Sequence, residues 1–148
     1  MPISPESSCL TKETWERIEQ HAQDVARYLK GDLSALHFKA RRVPRGIYEQ
    51  RRSGTFMIRI RLPAGRLTVP QARALADLAP RFGSSVLHVT TRQDIQIHDV
   101  PLEATPALLR ALWDIGLTTM GGGGNTIRNV TACPLAGICP AECFDVAP

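Results

Sequence analysis

The stretch from residue 121 to residue 133, GGGGNTIRNVTAC, holds the residue types best suited to binding a ligand. Four consecutive glycines let the backbone approach a place where no side chain fits, at a high cost in conformational entropy. Asn125, Arg128 and Asn129 follow at once, and the planar fork of arginine binds carboxylates and phosphates through paired hydrogen bonds. The pattern indicates a segment that lies against an anionic cofactor or ligand. A glycine linker followed by a strand is an equally weighted alternative.

Positive charge is concentrated near the middle of the chain. Residues 39–66 contain nine basic residues and one acid, whereas the whole chain of 148 residues has a formal net charge of +4. Residues 41–52 could wrap an anion or form a solvated loop. We favour the anion, because like charges at this density destabilise the fold unless something neutralises them. Fifteen of the 18 basic residues are arginine, which favours anion recognition, although a GC-rich genome would give the same bias.

Composition disfavours several classes of partner. Nucleic acid is the obvious polyanion, but two tyrosines, four phenylalanines and two tryptophans offer little for base stacking. No apolar run approaches the roughly 20 residues of a membrane span, and the N-terminus lacks the basic-then-apolar pattern of a signal peptide. We therefore expect a cytoplasmic protein without a membrane partner.

The four cysteines are expected to be thiols or metal ligands, because disulfides are rare in cytosolic proteins. Cys133, Cys139 and Cys143 lie close together in the sequence, and Cys9 would have to supply the fourth thiolate of a cluster or zinc site. Such spacings arise readily by chance, so we assign no metal ligand.

The elements that must position these groups can be read from hydrophobic periodicity. Residues 55–62 form the clearest strand, because Phe56, Ile58, Ile60 and Leu62 alternate with polar positions. Arg59 and Arg61 lie on the opposite strand face. They repel each other there unless an anion or an acid, such as Asp94 or Asp99, sits nearby.

The order of predicted elements indicates the fold class. Helices are predicted over residues 11–30, 68–82 and 105–115, strands over 86–90 and 95–100, and a short last strand over 117–120, while 32–54 reads as irregular. From residue 55 the order is strand, helix, strand, strand, helix, strand. This predicts an α+β, ferredoxin-like split βαβ fold with an extra N-terminal helix. Helices cover one sheet face and leave the arginine face open.

Three separated blocks together resemble the sirohaem-containing nitrite and sulfite reductases. They are FMIRIRLPAG (56–65), TTRQDIQIHDV (90–100) and GGGGNTIRNVTACPLAG (121–137), and VPRGIYEQR (43–51) adds to the likeness. The resemblance implies the N-terminal ferredoxin-like half-domain region of such an enzyme. It suggests an N-terminal arm, amphipathic helix and basic loop (1–54), the half-domain (55–132), and a cysteine-containing tail leading to a missing downstream domain (133–148).

The resemblance also implies roles for individual residues. Arg59 and Arg128 match arginines that line the sirohaem and substrate pocket, so both are candidates for catalysis and for cofactor binding. Arg92 matches an arginine at the cofactor face. Asn125 and Asn129 match asparagines that support the cofactor edge.

The cofactors and partners implied by the resemblance belong to a larger protein. They are sirohaem and a [4Fe–4S] cluster, the downstream half of the same enzyme, sulfite or nitrite, and an electron donor such as ferredoxin or a reductase subunit. The 148 residues alone are expected to bind no cofactor and to be inactive. The alternatives are a stand-alone ferredoxin-like module that binds an anion or RNA, and a self-pairing assembly domain that dimerises through the exposed sheet face.

Overall fold

The structure, a computed structural model, describes residues 10–144, so Cys9 lies outside the described residues. The helices are α1 (Lys12–Leu29), α2 (Ala35–Arg42), α3 (Val69–Phe82) and α4 (Thr105–Asp114). The strands are β1 (Ile47–Glu49), β2 (Thr55–Ile60), β3 (Leu87–Val89) and β4 (Ile95–Pro101). Short 3-10 turns occur at Val43–Arg45, Pro63–Gly65 and Leu102–Ala104.

Two helices begin at the capping residues that the sequence predicts. The hydroxyl of Thr11 accepts a hydrogen bond from the backbone N–H of Thr14 at 3.3 Å, at the start of α1. Thr68 and Gln71 form a complete capping box at the start of α3. Each cap satisfies backbone donors that a helix end otherwise leaves unpaired, and is typically worth about 1 kcal/mol.

The sheet has the strand order β1-β2-β4-β3, and each neighbouring pair is antiparallel. Strand β4 is inserted between β2 and β3, which are joined through α3. Insertion of one strand between two that a helix connects is the split βαβ arrangement. The topology predicted from the sequence is therefore confirmed.

The short last strand expected over residues 117–120 is reduced to a single bridge. The backbone N–H of Arg61 donates to Thr118 O at 2.9 Å, and the two residues form an isolated antiparallel bridge. The remainder of that edge of β2 is occupied by β1, with Ile47 opposite Ile58. The last strand stays short because an earlier segment of the chain already pairs with the edge it would use.

Residues 32–54 are more regular than expected, since they contain both α2 and β1. An eight-residue helix is marginal by itself, so propensity alone gives little signal for it. The hydroxyl of Ser34 caps α2, and the ring of Phe38 is 2% exposed and stacks on Tyr28 at 4.4 Å between centroids. Packing against α1 therefore stabilises α2.

The hydrophobic core lies between the sheet and the helices. Strands β2 and β4 contribute Phe56, Ile58, Ile60, Ile95, Ile97 and Val100, and helices α3 and α4 contribute Leu75, Leu78, Ala79, Leu108, Leu109 and Leu112. Helix α1 packs outside α4, where the rings of Trp15 and Trp113 lie 5.5 Å apart. Because side chains alternate along β2, its other face presents Arg59 away from this core.

Candidate functional site

The centre of the candidate site is a buried ion pair on the sheet face opposite the helices. Strand β2 brings Arg59 opposite Gln96 of β4, and the Arg59 side chain is 14% exposed. Its Nη1 lies 3.6 Å from Oδ2 of Asp94, whose side chain is fully buried. At this distance the charges attract, but the contact is longer than a hydrogen bond.

Three buried polar atoms at this centre have no hydrogen-bond partner among the described residues. They are Nε of Arg59, Nε of Arg61 and Oδ2 of Asp94. Buried polar atoms in folded proteins are nearly always paired, so a cluster of exceptions needs an explanation. Two unpaired guanidinium N–H donors on one strand face fit an acidic ligand.

The glycine run lies across Arg61. Nη1 of Arg61 donates to Met120 O at 3.1 Å, and a Cβ placed on Gly121 would lie 2.8 Å from that same nitrogen. Gly122 and Gly123 are buried, and a Cβ on Gly123 would collide with Tyr48 Oη. The close approach that these glycines permit is therefore to side chains of the chain itself, namely Arg61 and Tyr48.

Asn129 fastens the segment that follows the glycines to the sheet. Its Nδ2 donates to Leu62 O at 3.0 Å, to Arg92 O at 2.8 Å and to Asp94 Oδ1 at 3.0 Å. An amide nitrogen carries two hydrogens, so one of them is shared between acceptors. Asn129 therefore connects the segment that follows the glycines to the end of β2 and to the turn before β4.

Gln93 forms a second connection between the turn before β4 and the segment after the glycines, and it was not predicted from the sequence. Its Nε2 donates to Ala132 O at 2.7 Å, and its Oε1 accepts from the backbone N–H of Ala132 at 2.9 Å. The side-chain amide thus pairs with the backbone as a neighbouring strand would. The only sequence signal for this role was the position of Gln93 in the TTRQDIQIHDV block.

The remaining predicted site residues differ in their surroundings. Arg92 is half-buried, and its guanidinium makes no hydrogen bond or ion pair to the part of the chain described. Arg128 and Asn125 are exposed, and within residues 10–144 their side chains are likewise unpaired. Contacts with Asp94 thus join Arg59 to Asn129, and Asn129 in turn binds the backbone carbonyl of Arg92. Arg128 adjoins this group in sequence, and Asn125 makes no contact with it.

Three of the five arginines in the basic segment 41–52 are paired with acids of the chain itself, so for these three the expectation of an external anion is wrong. Arg41 and Arg45 bind the two oxygens of buried Asp24 at 2.7 and 2.8 Å. Arg42 binds Glu49 at 2.9 Å. Burial raises the pKa of Asp24, but hydrogen bonds from Arg45 and Arg41 outweigh it, so the pKa lies below its ordinary value. Asp24, which is distant in sequence, neutralises Arg41 and Arg45, and Glu49 within the segment neutralises Arg42.

Two histidines extend the polar sheet face beyond Gln96. The rings of His88 and His98 lie 4.4 Å apart, and His98 is hydrogen-bonded to Gln50 at 3.0 Å and to Gln96 at 3.2 Å. Burial, followed by the nearby His88, lowers the pKa of His98. His98 is therefore favoured in its neutral form, in which it both donates and accepts.

A cleft of about 600 Å³ opens beside Asp94. Its walls come from residues 62–67, 89–95 and 132–137, and they include Cys133. Cys133, Cys139 and Cys143 are free thiols. Among the residues described, no three His, Cys, Asp or Glu side chains are grouped to hold a metal ion.

A sequence model of the nitrite/sulfite reductase ferredoxin-like half domain matches residues 48–114. Over 93 residues the chain is 42% identical to a ferredoxin–nitrite reductase of Synechococcus elongatus, covering 62% of this chain and 18% of that protein. Over 135 residues it is 36% identical to the chloroplastic ferredoxin–nitrite reductase of Zea mays, covering 89% of this chain and 23% of that one. The chain thus spans about a fifth of the length of these curated relatives.

The fold is similar to that of a solved structure, the Mycobacterium tuberculosis NirA protein. The TM-score is 0.66 at 23% identity, over 82% of this chain and 28% of the other. Within residues 10–144, no helix combines the length and the apolar character needed to cross a membrane.

Proposed function

Because the chain belongs to the nitrite and sulfite reductase family through its ferredoxin-like half domain, we propose that its arginine-bearing sheet face binds part of a sirohaem. The observation that carries this proposal is the pair of buried, unpaired Nε atoms of Arg59 and Arg61. Sirohaem is a macrocycle that bears many carboxylates. A carboxylate that accepts from these donors would supply the partners that they lack.

The residues present fit such a group in charge and in rigidity. Arg59 is fixed by β2 and by Asp94, and Asn129 is fixed by its hydrogen bonds to Leu62, Arg92 and Asp94. Donors held in place before the ligand arrives lose little entropy on binding. We assign Arg59, Arg92 and Arg128 to binding cofactor carboxylates, with Asn129 orienting the segment that carries Arg128.

In this proposal the bound sirohaem, together with a [4Fe–4S] cluster, would deliver electrons to a small anion. The residues of this chain would hold and orient that anion. Arg59 and Arg128 would stabilise its negative charge, because preorganised guanidinium groups in a partly buried site interact strongly with developing charge. The exposed, unpaired side chain of Asn125 is assigned to the outer edge of the cofactor site.

The whole enzyme would be a nitrite or sulfite reductase, with nitrite favoured because the relatives described above are named ferredoxin–nitrite reductases. It would act in the cytoplasm and accept electrons from ferredoxin or a reductase subunit. Residues 55–132 would form the half-domain, 1–54 its N-terminal support, and 133–148 the connection to the downstream half. By themselves the 148 residues would not turn over substrate, since part of the cofactor site lies elsewhere.

Sirohaem titration of the 148-residue chain tests this function. In contrast to the expectation from the resemblance, the unpaired donors of Arg59 and Arg61 lead us to expect that the 148 residues alone bind sirohaem. Binding should appear as a saturable change in the Soret absorbance that weakens as salt is added, because ions screen the charges. Arg59→Gln should reduce the affinity, whereas Arg73→Gln on the exposed side of α3 should not. If the spectrum does not respond, or both variants bind as the wild type does, the sheet face is not the sirohaem site.

Self-pairing and RNA binding are the competing uses of the same face. Neither is favoured by a specific contact among the described residues. Sedimentation at several concentrations would reveal a symmetric dimer, and a salt-dependent affinity for single-stranded RNA would support the second alternative.

A further inference from the structure

Asp94 is a carboxyl group held asymmetrically beneath the candidate anion site. Its Oδ1 accepts from the backbone N–H of Leu62 at 3.3 Å and from Asn129 Nδ2 at 3.0 Å. Its Oδ2 accepts no hydrogen bond among the described residues and faces Arg59 Nη1 at 3.6 Å. A proton added to Oδ2 would therefore break no existing hydrogen bond.

The charges around Asp94 leave it sensitive to an additional anion. Among residues 10–144, Arg59 and Arg61 on the β2 side are the charged groups that lower its pKa. Arg66 and Cys133 line the same cleft, while Asn129 and the carbonyl of Arg92 are neutral. Burial raises the pKa of Asp94, and the Leu62 N–H and the two arginines oppose this without cancelling it. The carboxylate therefore depends on these guanidinium groups to remain ionised.

We propose that Asp94 couples the binding of an anion at Arg59 to the uptake of a proton. An anion that binds the Arg59 guanidinium, which is 14% exposed, places a second negative charge beside the cation on which Asp94 depends. Two anions that share one cation disfavour each other's ionised form. The proton comes from solvent and rests on Asp94 Oδ2, and no electron is transferred.

The coupling acts in both directions, because linkage between two binding events is reciprocal. If the anion promotes protonation of Asp94, a lower pH must strengthen anion binding. The affinity for the anion should rise by at most about tenfold for each unit by which the pH falls, over the range in which Asp94 titrates. This inference rests on the proposed function in one respect, namely that the Arg59 face takes an anion.

The test follows the carboxyl carbon of Asp94 by NMR during a pH titration of the 148-residue chain, with and without nitrite. We expect nitrite to move the midpoint of the Asp94 titration upwards. In Asp94→Asn the nitrite affinity, read from backbone amide shifts near Arg59, should lose its dependence on pH. Asp77→Asn removes an exposed carboxylate on α3 and should keep the wild-type dependence.

The inference is overturned if nitrite leaves the Asp94 midpoint unmoved at every concentration tried, or if Asp94→Asn keeps the full pH dependence. The midpoint shift is measured in the wild-type chain, so it decides the matter even if Asp94→Asn fails to fold. Sirohaem binding without a nitrite-induced shift would refute the coupling and leave the proposed function standing. A nitrite-induced shift without sirohaem binding would support the coupling and refute the proposed function.

Discussion

Replacing Asn129 with alanine should separate a structural asparagine from one that only faces a ligand. In the wild type, Nδ2 of Asn129 serves Leu62 O, Arg92 O and Asp94 Oδ1. The alanine variant removes these donors. Leu62 O keeps the Gly65 N–H and Asp94 Oδ1 keeps the Leu62 N–H, while Arg92 O loses its hydrogen bond from the side chain. Asn125→Ala is the matched control, because Asn125 is exposed and its side chain is unpaired within residues 10–144.

The size of the effect follows from the hydrogen bonds that the variant loses. A neutral hydrogen bond contributes about 0.5–1.5 kcal/mol, and one to a charged group about 1.5–3 kcal/mol. Because two hydrogens serve the three acceptors of Asn129, we expect a loss of about 3 kcal/mol in the free energy of unfolding. For a chain near this size, 1 kcal/mol lowers Tm by about 2–4 °C, so Tm should fall by about 6–12 °C. Asn125→Ala should stay within about 0.5 kcal/mol of the wild type.

Urea denaturation followed by circular dichroism gives the free energies, and a thermal melt gives the two Tm values. The reasoning fails if Asn129→Ala loses less than about 1 kcal/mol, or if both asparagine variants lose the same amount. Isosteric Asn129→Asp should also destabilise, because it brings a carboxylate beside Asp94 Oδ1, now 3.0 Å from Nδ2.

Three further variants test the packing of the glycine run and of helix α1. Gly123→Ala should cost about 1–3 kcal/mol in urea denaturation, because its Cβ would lie 2.6 Å from Val43 O. Burial, followed by Arg45, lowers the pKa of His21 to about 3, so the free energy of unfolding should fall as pH drops below 6.5. His21→Asn should flatten that dependence. Asp24→Asn breaks a buried ion pair with Arg45 and should cost about 3–5 kcal/mol, read from the urea midpoint.

The features that the sequence predicts correctly rest on local rules. The alternation in β2 identifies its core face, and Thr68 with Gln71 identifies the start of α3. Period-two alternation and capping boxes involve residues a few positions apart, so a single sequence contains the whole signal. The order of these elements then sufficed to predict the split βαβ topology.

The features that it missed depend on partners distant in sequence. Helix α2 is stabilised by Phe38 against Tyr28, and Asp24 neutralises arginines 17 and 21 positions further along. Charge density alone cannot show which acid meets which arginine. Asp94 was considered only as a cross-strand partner for the β2 arginines, and its junction with Asn129 became visible once both chain segments were in place.

The central claim is that the unpaired guanidinium donors of β2 receive carboxylates of sirohaem. Nitrogen-15 NMR of the Nε–H groups of Arg59 and Arg61, recorded as sirohaem is added, tests this at the atoms concerned. The account predicts that both signals move and saturate together, while the exposed Arg73 stays in place. Unmoved Arg59 and Arg61 signals under conditions in which sirohaem binds the chain would contradict it.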